Sequence, residues 1–109
     1  MFLRLLIKEI FKMTKRQIEI IKKKIVPILR RNNIKKAGIF GSYATGRQKK
    51  NSDIDILVEI NDKNFGLLDL VKLKIVLEQM LKKKVDLIEY STLHPLIKKN
   101  ALNEEIKII

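Results

Sequence analysis

Ser52-Asp53-Ile54-Asp55-Ile56-Leu57-Val58-Glu59-Ile60 constrains the fold more than any other segment of this chain. It is rich in Ile and Val, and its polar residues fall at alternate positions at its start and again at Glu59, which is the pattern of a strand. Side chains alternate across a strand, so Ile54, Ile56, Val58 and Ile60 point into a core while Asp53 and Asp55 share the other face. The two Asp residues then stand roughly 6–7 Å apart along the chain. Carboxylates can lean together from that distance onto ions spaced about 3.5–4 Å apart, as in two-metal sites. The same pattern also suits the wet face of an edge strand, since Asp is common on surfaces. Leu57 lies on the acidic face, so that face is not uniformly wet. Two like charges held this close are best tolerated with something positive between them.

A second feature stands at a fixed distance upstream. Gly41-Ser42 is followed by ten residues, Tyr43 to Ser52, and then by Asp53-Ile54-Asp55. Ala37-Gly38-Ile39-Phe40 reads as a short buried strand that Gly41-Ser42 breaks, and Tyr43-Ala44-Thr45 begins a helical turn. Gly46-Arg47 ends the turn, and Gln48-Lys49-Lys50-Asn51-Ser52 is a polar loop leading into the Asp strand. Gly permits unusual backbone angles and close approach of a ligand. The Ser hydroxyl can bond a phosphate oxygen, and free N–H groups at a helix start attract anions. A nucleoside triphosphate with bound magnesium needs both chemistries in one pocket. Gly41 and Gly46 also stand at the interval of a P-loop, but Arg47 and Gln48 occupy the places of its Lys and its Ser or Thr, which sets that motif aside.

Phe40-Gly41-Ser42, ten residues, then Asp53-Ile54-Asp55-Ile56-Leu57-Val58 resembles the signature of the nucleotidyltransferase superfamily related to DNA polymerase β. Within it the chain is similar to the minimal nucleotidyltransferases, the MntA-type antitoxins of HEPN toxins, from about Met13 onward. The resemblance implies a third metal-binding carboxylate on a later strand, and Lys84-Val85-Asp86-Leu87-Ile88-Glu89 fits the place. Asp86 would lie beside Asp53 and Asp55 if the strands are neighbours, whereas Glu89 falls on the Val85 and Leu87 face. It implies Asp53, Asp55 and Asp86 as catalytic and magnesium-binding residues for two ions, with ATP as substrate. Gly41, Ser42 and Arg47 are then the nucleotide-binding candidates. Where the family often has Arg after the turn, this chain has Thr45, and Arg47 follows two places later. The activity implied is transfer of AMP from ATP to a protein hydroxyl, a tyrosine of a HEPN-type toxin. The alternatives are a module that neutralises a partner by docking alone and a basic RNA- or DNA-binding domain.

At 109 residues the chain is one domain with a modest core. It has no Cys, which excludes disulfides and Cys-based zinc sites. Its one histidine, His94, precedes Pro95 and reads as a loop or cap residue, so Ser-His-Asp chemistry has no support. The formal charge of +12 comes mostly from Lys runs such as Lys22-Lys23-Lys24 and Lys82-Lys83-Lys84. Such a surface suits nucleic acid, a polyanionic nucleotide, an acidic partner, or simply a Lys- and Ile-rich proteome. Aromatic residues are too sparse to stack on single strands, so nucleic acid is not the favoured partner. No stretch has the length of a membrane span and no leader cleavage site is present, so the cytoplasm is the expected compartment.

The expected architecture is a small α/β (α+β) domain with a mixed sheet and helices on one side. Residues 1–12 read as an N-terminal extension: an added amphipathic helix, a membrane-surface segment or a start called too early. Residues 13–109 form the domain. Thr14 is expected to cap a helix to about Arg31, with Ile18, Ile21, Ile25 and Ile28 or Leu29 as its apolar stripe and with Pro27 kinking it or making its last turn irregular. Strands are expected at Lys36–Phe40, Asp53–Ile60 and Val85–Glu89, with a short fourth at Ile106–Ile109. A second helix from Phe65 or Gly66 to Lys82 has Leu67, Leu70, Val71, Ile75, Leu77 and Leu81 as candidate core. Ser91-Thr92 is expected to cap a last helix to about Asn103.

Overall fold

The computed structural model describes residues 2–46 and 52–109; Arg47 and most of the polar loop after it lie outside the described residues. The elements are α1 (Phe2–Arg31), β1 (Ala37–Phe40), α2 (Ser42–Thr45), β2 (Ile54–Val58), α3 (Leu67–Leu81), β3 (Val85–Glu89), a 3-10 turn (Tyr90–Thr92), α4 (Pro95–Glu104) and β4 (Ile106–Lys107). The strands form one mixed sheet in the order β3-β2-β1-β4. β1 runs antiparallel to β2 and β4, while β2 and β3 are parallel. Parallel neighbours need a long crossover, and α3 is that crossover.

One face of the sheet carries Ala37, Ile39, Ile54, Ile56, Val58, Val85 and Leu87. These pack with Ile18, Ile21, Ile25 and Leu29 of α1 and with Leu73 and Leu77 of α3. Each such Ile or Leu contributes about 1.5–3 kcal/mol when fully buried. The predicted α1 stripe is therefore the core stripe, with Leu29 fully buried and Ile28 only partly so. The opposite face has a smaller cluster of Leu57, Tyr90 and Ala101, with Phe40, Ile88 and Leu93 around it. The 3-10 turn and α4 thus cover part of this face, and its remainder carries the carboxylates.

The structure refines the local expectations at four places. Thr14 does not cap α1, which runs unbroken from Phe2. The residues before Thr14 are mostly Leu, Lys, Arg, Glu and Ile without Gly or Pro, so nothing there stops a helix. Pro27 is also contained within α1; it is exposed, so the carbonyl left without its N–H lies on the wetted side. In α3, Leu67, Val71 and Ile75 are exposed at 78%, 44% and 48%, and Leu73 takes the core position instead. Ser91-Thr92 forms the 3-10 turn, in which the Thr92 hydroxyl donates to the Glu89 carbonyl (2.9 Å). The cap of α4 is His94, whose Nδ1 accepts from the Leu96 N–H (3.3 Å), with Pro95 at the first helical position.

Candidate active site

The pairing register sets the site. Asp55 stands opposite Asp86 across the parallel β2–β3 pair and opposite Phe40 across the antiparallel β1–β2 pair. Residues opposite each other in a sheet point to the same side, so Asp55 and Asp86 are side by side, about 4.8 Å apart in the hydrogen-bonding direction. Asp53, two residues before Asp55, projects to that side at the start of β2. The Ile54 N–H donates to the Lys84 carbonyl (2.9 Å) and keeps the two strand starts level.

Phe40 leads into the turn that faces Asp55. Gly41 has φ +75 and Gly46 has φ +73, so both ends of the four-residue α2 use the left-handed region. A Cβ on Gly41 would collide with Oδ2 of Asp55. The carboxylate therefore lies directly against the Gly41 backbone, and glycine is required there both for its φ and for this contact. Thr45 closes the turn: its N–H and hydroxyl both donate to the Gly41 carbonyl (3.2 and 3.1 Å). Ser42 begins α2 beside Asp55 and is half-buried. Burial, then Asp86, then Asp53 push the Asp55 carboxyl up from 3.8 to about 6. A carboxylate raised by burial and by its acidic neighbours marks a concentration of negative charge at this point.

Asp53, Asp55, Asp86, Gly41 and Ser42 thus come together at one end of the sheet, and Arg47 lies outside the described residues. Glu89 stands opposite Val58, whose side chain is buried on the helix-packed face, away from the three Asp residues. Among the described residues no group of three His, Cys, Asp or Glu is close enough to grip an ion as it stands. The donor set is nevertheless all oxygen and carries excess negative charge, which suits a hard divalent cation such as magnesium. Asp53 and Asp86 are exposed and can swing inward.

Sequence reasoning missed the support beneath the site. The Tyr90 hydroxyl donates to Oε2 of Glu105 (2.6 Å), and a Cβ on Gly38 would collide with that oxygen. Burial first, then the hydrogen bond to Glu105, hold the Tyr90 hydroxyl well above the usual phenol range. This pair ties the end of α4 to Gly38, on the same face of the sheet as Asp55 and two residues along β1 from Phe40. A glycine inside a strand marks close approach of another group, and Gly38 was that signal.

The nucleotidyltransferase domain family matches residues 22–108. A protein adenylyltransferase of Methanocaldococcus jannaschii is 52% identical over 89 residues, covering 82% of this chain and 95% of the relative. The protein adenylyltransferase MntA of Thermococcus cleftensis is 37% identical over 78 residues, covering 72% of this chain and 78% of the relative. A solved toxin–antitoxin structure with AMP-PNP superposes with a TM-score of 0.71 at 28% identity, covering 81% of this chain and 72% of that one. The match spans the turn, the Asp strand and the third carboxylate alike, and on that basis the chain belongs to the nucleotidyltransferase domain family.

Proposed function

We propose that this protein transfers AMP from ATP to a hydroxyl of a partner protein, a tyrosine of a HEPN-type toxin, and so acts as its antitoxin. The observation that carries this reading is the register that sets Asp55 beside Asp86, with the Asp55 carboxylate against the Gly41-Ser42 turn. The relatives named above support the donor and the acceptor class.

In this reading the Ser42 hydroxyl and the N–H groups of the turn hold the β- and γ-phosphates, and Arg47 neutralises their charge. Asp53 and Asp55 would hold a magnesium ion, and Asp86 would join them in holding a second. Bound there, magnesium would neutralise the triphosphate and lower the pKa of the attacking hydroxyl. Asp86, exposed at the mouth of the cleft, accepts the proton of that hydroxyl. The tyrosine oxygen forms a bond to the α-phosphorus, the bond from that phosphorus to the pyrophosphate oxygen breaks, and pyrophosphate leaves.

The test is to mix the protein with its HEPN-type partner and ATP–magnesium and to weigh the partner by mass spectrometry. A gain of one or more AMP units is expected, and it disappears with Asp53→Ala while that variant keeps its fold. An intact complex with no mass gain assigns the protein to docking alone. Full transfer by Asp53→Ala removes that residue from the mechanism.

A further inference from the structure

We infer that the acceptor protein docks on the N-terminal arm of α1 and on the cavity at its root, through an acidic surface with protruding apolar side chains. This rests on the proposed transfer to a protein hydroxyl. α1 ends at Arg31, close in sequence to Ala37, which pairs with Val58 at the end of the sheet away from Asp55. α1 therefore approaches the domain from the carboxylate end. Its thirty residues span about 45 Å, against a longest molecular dimension of 54 Å. Among residues whose burial is described, Ile18 is the first of α1 to enter the core. Leu3, Leu5 and Leu6 before it are exposed at 73%, 61% and 44%, as are Lys15 and Arg16. The arm thus leads outward at the end of the molecule where Asp53, Asp55 and Asp86 lie.

At its root is a cavity of about 130 Å³ between α1, α2 and α3, lined among others by Ile20, Ile21, Lys24, Tyr43, Ile54 and Leu81. Tyr43 adjoins Ser42, and Ile54 sits between Asp53 and Asp55 with its side chain on the helix-packed face, so the cavity lies at the carboxylate end of the sheet but on the opposite face from the cleft. Its wall is apolar, and Ile20 is 53% exposed at its rim beside Lys24. From Phe2 to Lys24 the only carboxylates are Glu9 and Glu19, among many Lys and Arg. This charge disfavours a second copy of a +12 chain as the occupant. It favours a partner whose acidic rim surrounds an apolar anchor, the arrangement in which steering and a buried hot spot cooperate.

The experiment measures binding rather than transfer. Affinity for the HEPN-type acceptor is determined by calorimetry for the parent chain, for Ile20→Glu with Lys24→Glu, and for Leu3→Glu with Leu6→Glu. Each double variant replaces exposed side chains, and thermal melting together with AMP-PNP binding confirms an intact fold. Each is expected to bind the acceptor at least about tenfold more weakly with AMP-PNP affinity unchanged. Affinity within twofold of the parent in either variant overturns the proposal. So does a concentration-dependent dimer of the parent that the variants abolish without change in acceptor affinity. A parent chain that binds the acceptor but moves no AMP overturns the proposed function and leaves this surface standing.

Discussion

Asp55 lies against the Gly41 backbone and is paired across the sheet with Asp86, and its carboxyl is raised to about 6 chiefly by burial. The folded state therefore binds this proton more tightly than the unfolded chain does. The stability that the protonated form contributes is fully present below about 3.8 and is lost as pH rises from there through about 6. Asp55 is partly exposed, so solvent screening reduces the full linkage value, and about 1 kcal/mol is expected. In chelator, the parent should be less stable at pH 7 than at pH 4, the window that spans 3.8 to about 6, and Asp55→Asn should shrink that loss by about the same 1 kcal/mol while abolishing transfer. An unchanged pH slope in Asp55→Asn would assign the titration elsewhere. Gly41→Ala meets two obstacles at once, a φ of +75 and the Asp55 oxygen. It should cost about 1–3 kcal/mol by urea unfolding and reduce transfer at least about tenfold by displacing Asp55; a variant that folds and transfers like the parent would refute the contact. The Asp pair and the Gly-Ser turn were legible because each carries its chemistry in adjacent residues. The Gly41–Asp55 contact was not, because it depends on how closely two strands approach.

The elements were legible where one face is buried and illegible where the chain end or a cap decides. β2 and the α1 stripe follow from periodicity, and both form as expected. α3 misled because it is apolar nearly all round, so periodicity could not choose among its faces. Packing chose Leu73 and Leu77 and left Leu67, Val71 and Ile75 in water. Thr14 misled because a capping residue is only a preference, and favourable helix formers on both sides override it. The end of α3 yields a prediction of its own. Lys82 closes the helix at φ 54, and its N–H donates to the Glu78 carbonyl (2.8 Å). Glu78 in turn accepts from the Val85 N–H (3.1 Å), so this closure sets where β3 and Asp86 begin. Glycine adopts the left-handed cap without the Cβ penalty. Lys82→Gly should raise stability by roughly 0.5–1 kcal/mol in urea unfolding and leave transfer intact; a loss of stability would mean that the lysine side chain, not the turn geometry, matters at this position.

At the scale of the molecule, two facts meet: a sheet order that gathers three carboxylates at one end, and a chain-wide excess of base. The order β3-β2-β1-β4 places the third carboxylate strand beside the first two. No local pattern dictates that order; the family resemblance supplied the expectation of a third carboxylate, and the parallel β2–β3 register is what realises it. The charge excess has a consequence that can be measured on the isolated protein. The chain carries 24 Lys and Arg against 12 Asp and Glu in a body of 54 × 31 × 22 Å. At 0.01 M salt the screening length is about 30 Å, so cations across the whole body repel one another; at 0.15 M it is about 8 Å, and only near neighbours do. Self-repulsion destabilises the compact state more than the expanded one. The melting temperature should therefore rise as sodium chloride is increased from 0.01 to 0.15 M, by several degrees if about 1 kcal/mol of repulsion is relieved. Favourable ion pairs dominating the surface would give the opposite slope, since salt weakens them. Magnesium should add its own stabilisation on top at fixed ionic strength, by occupying the acidic end alone, and Asp55→Asn should reduce that increment. A rise with sodium chloride but no further rise with magnesium would leave the basic surface as described and remove the cation from the cleft.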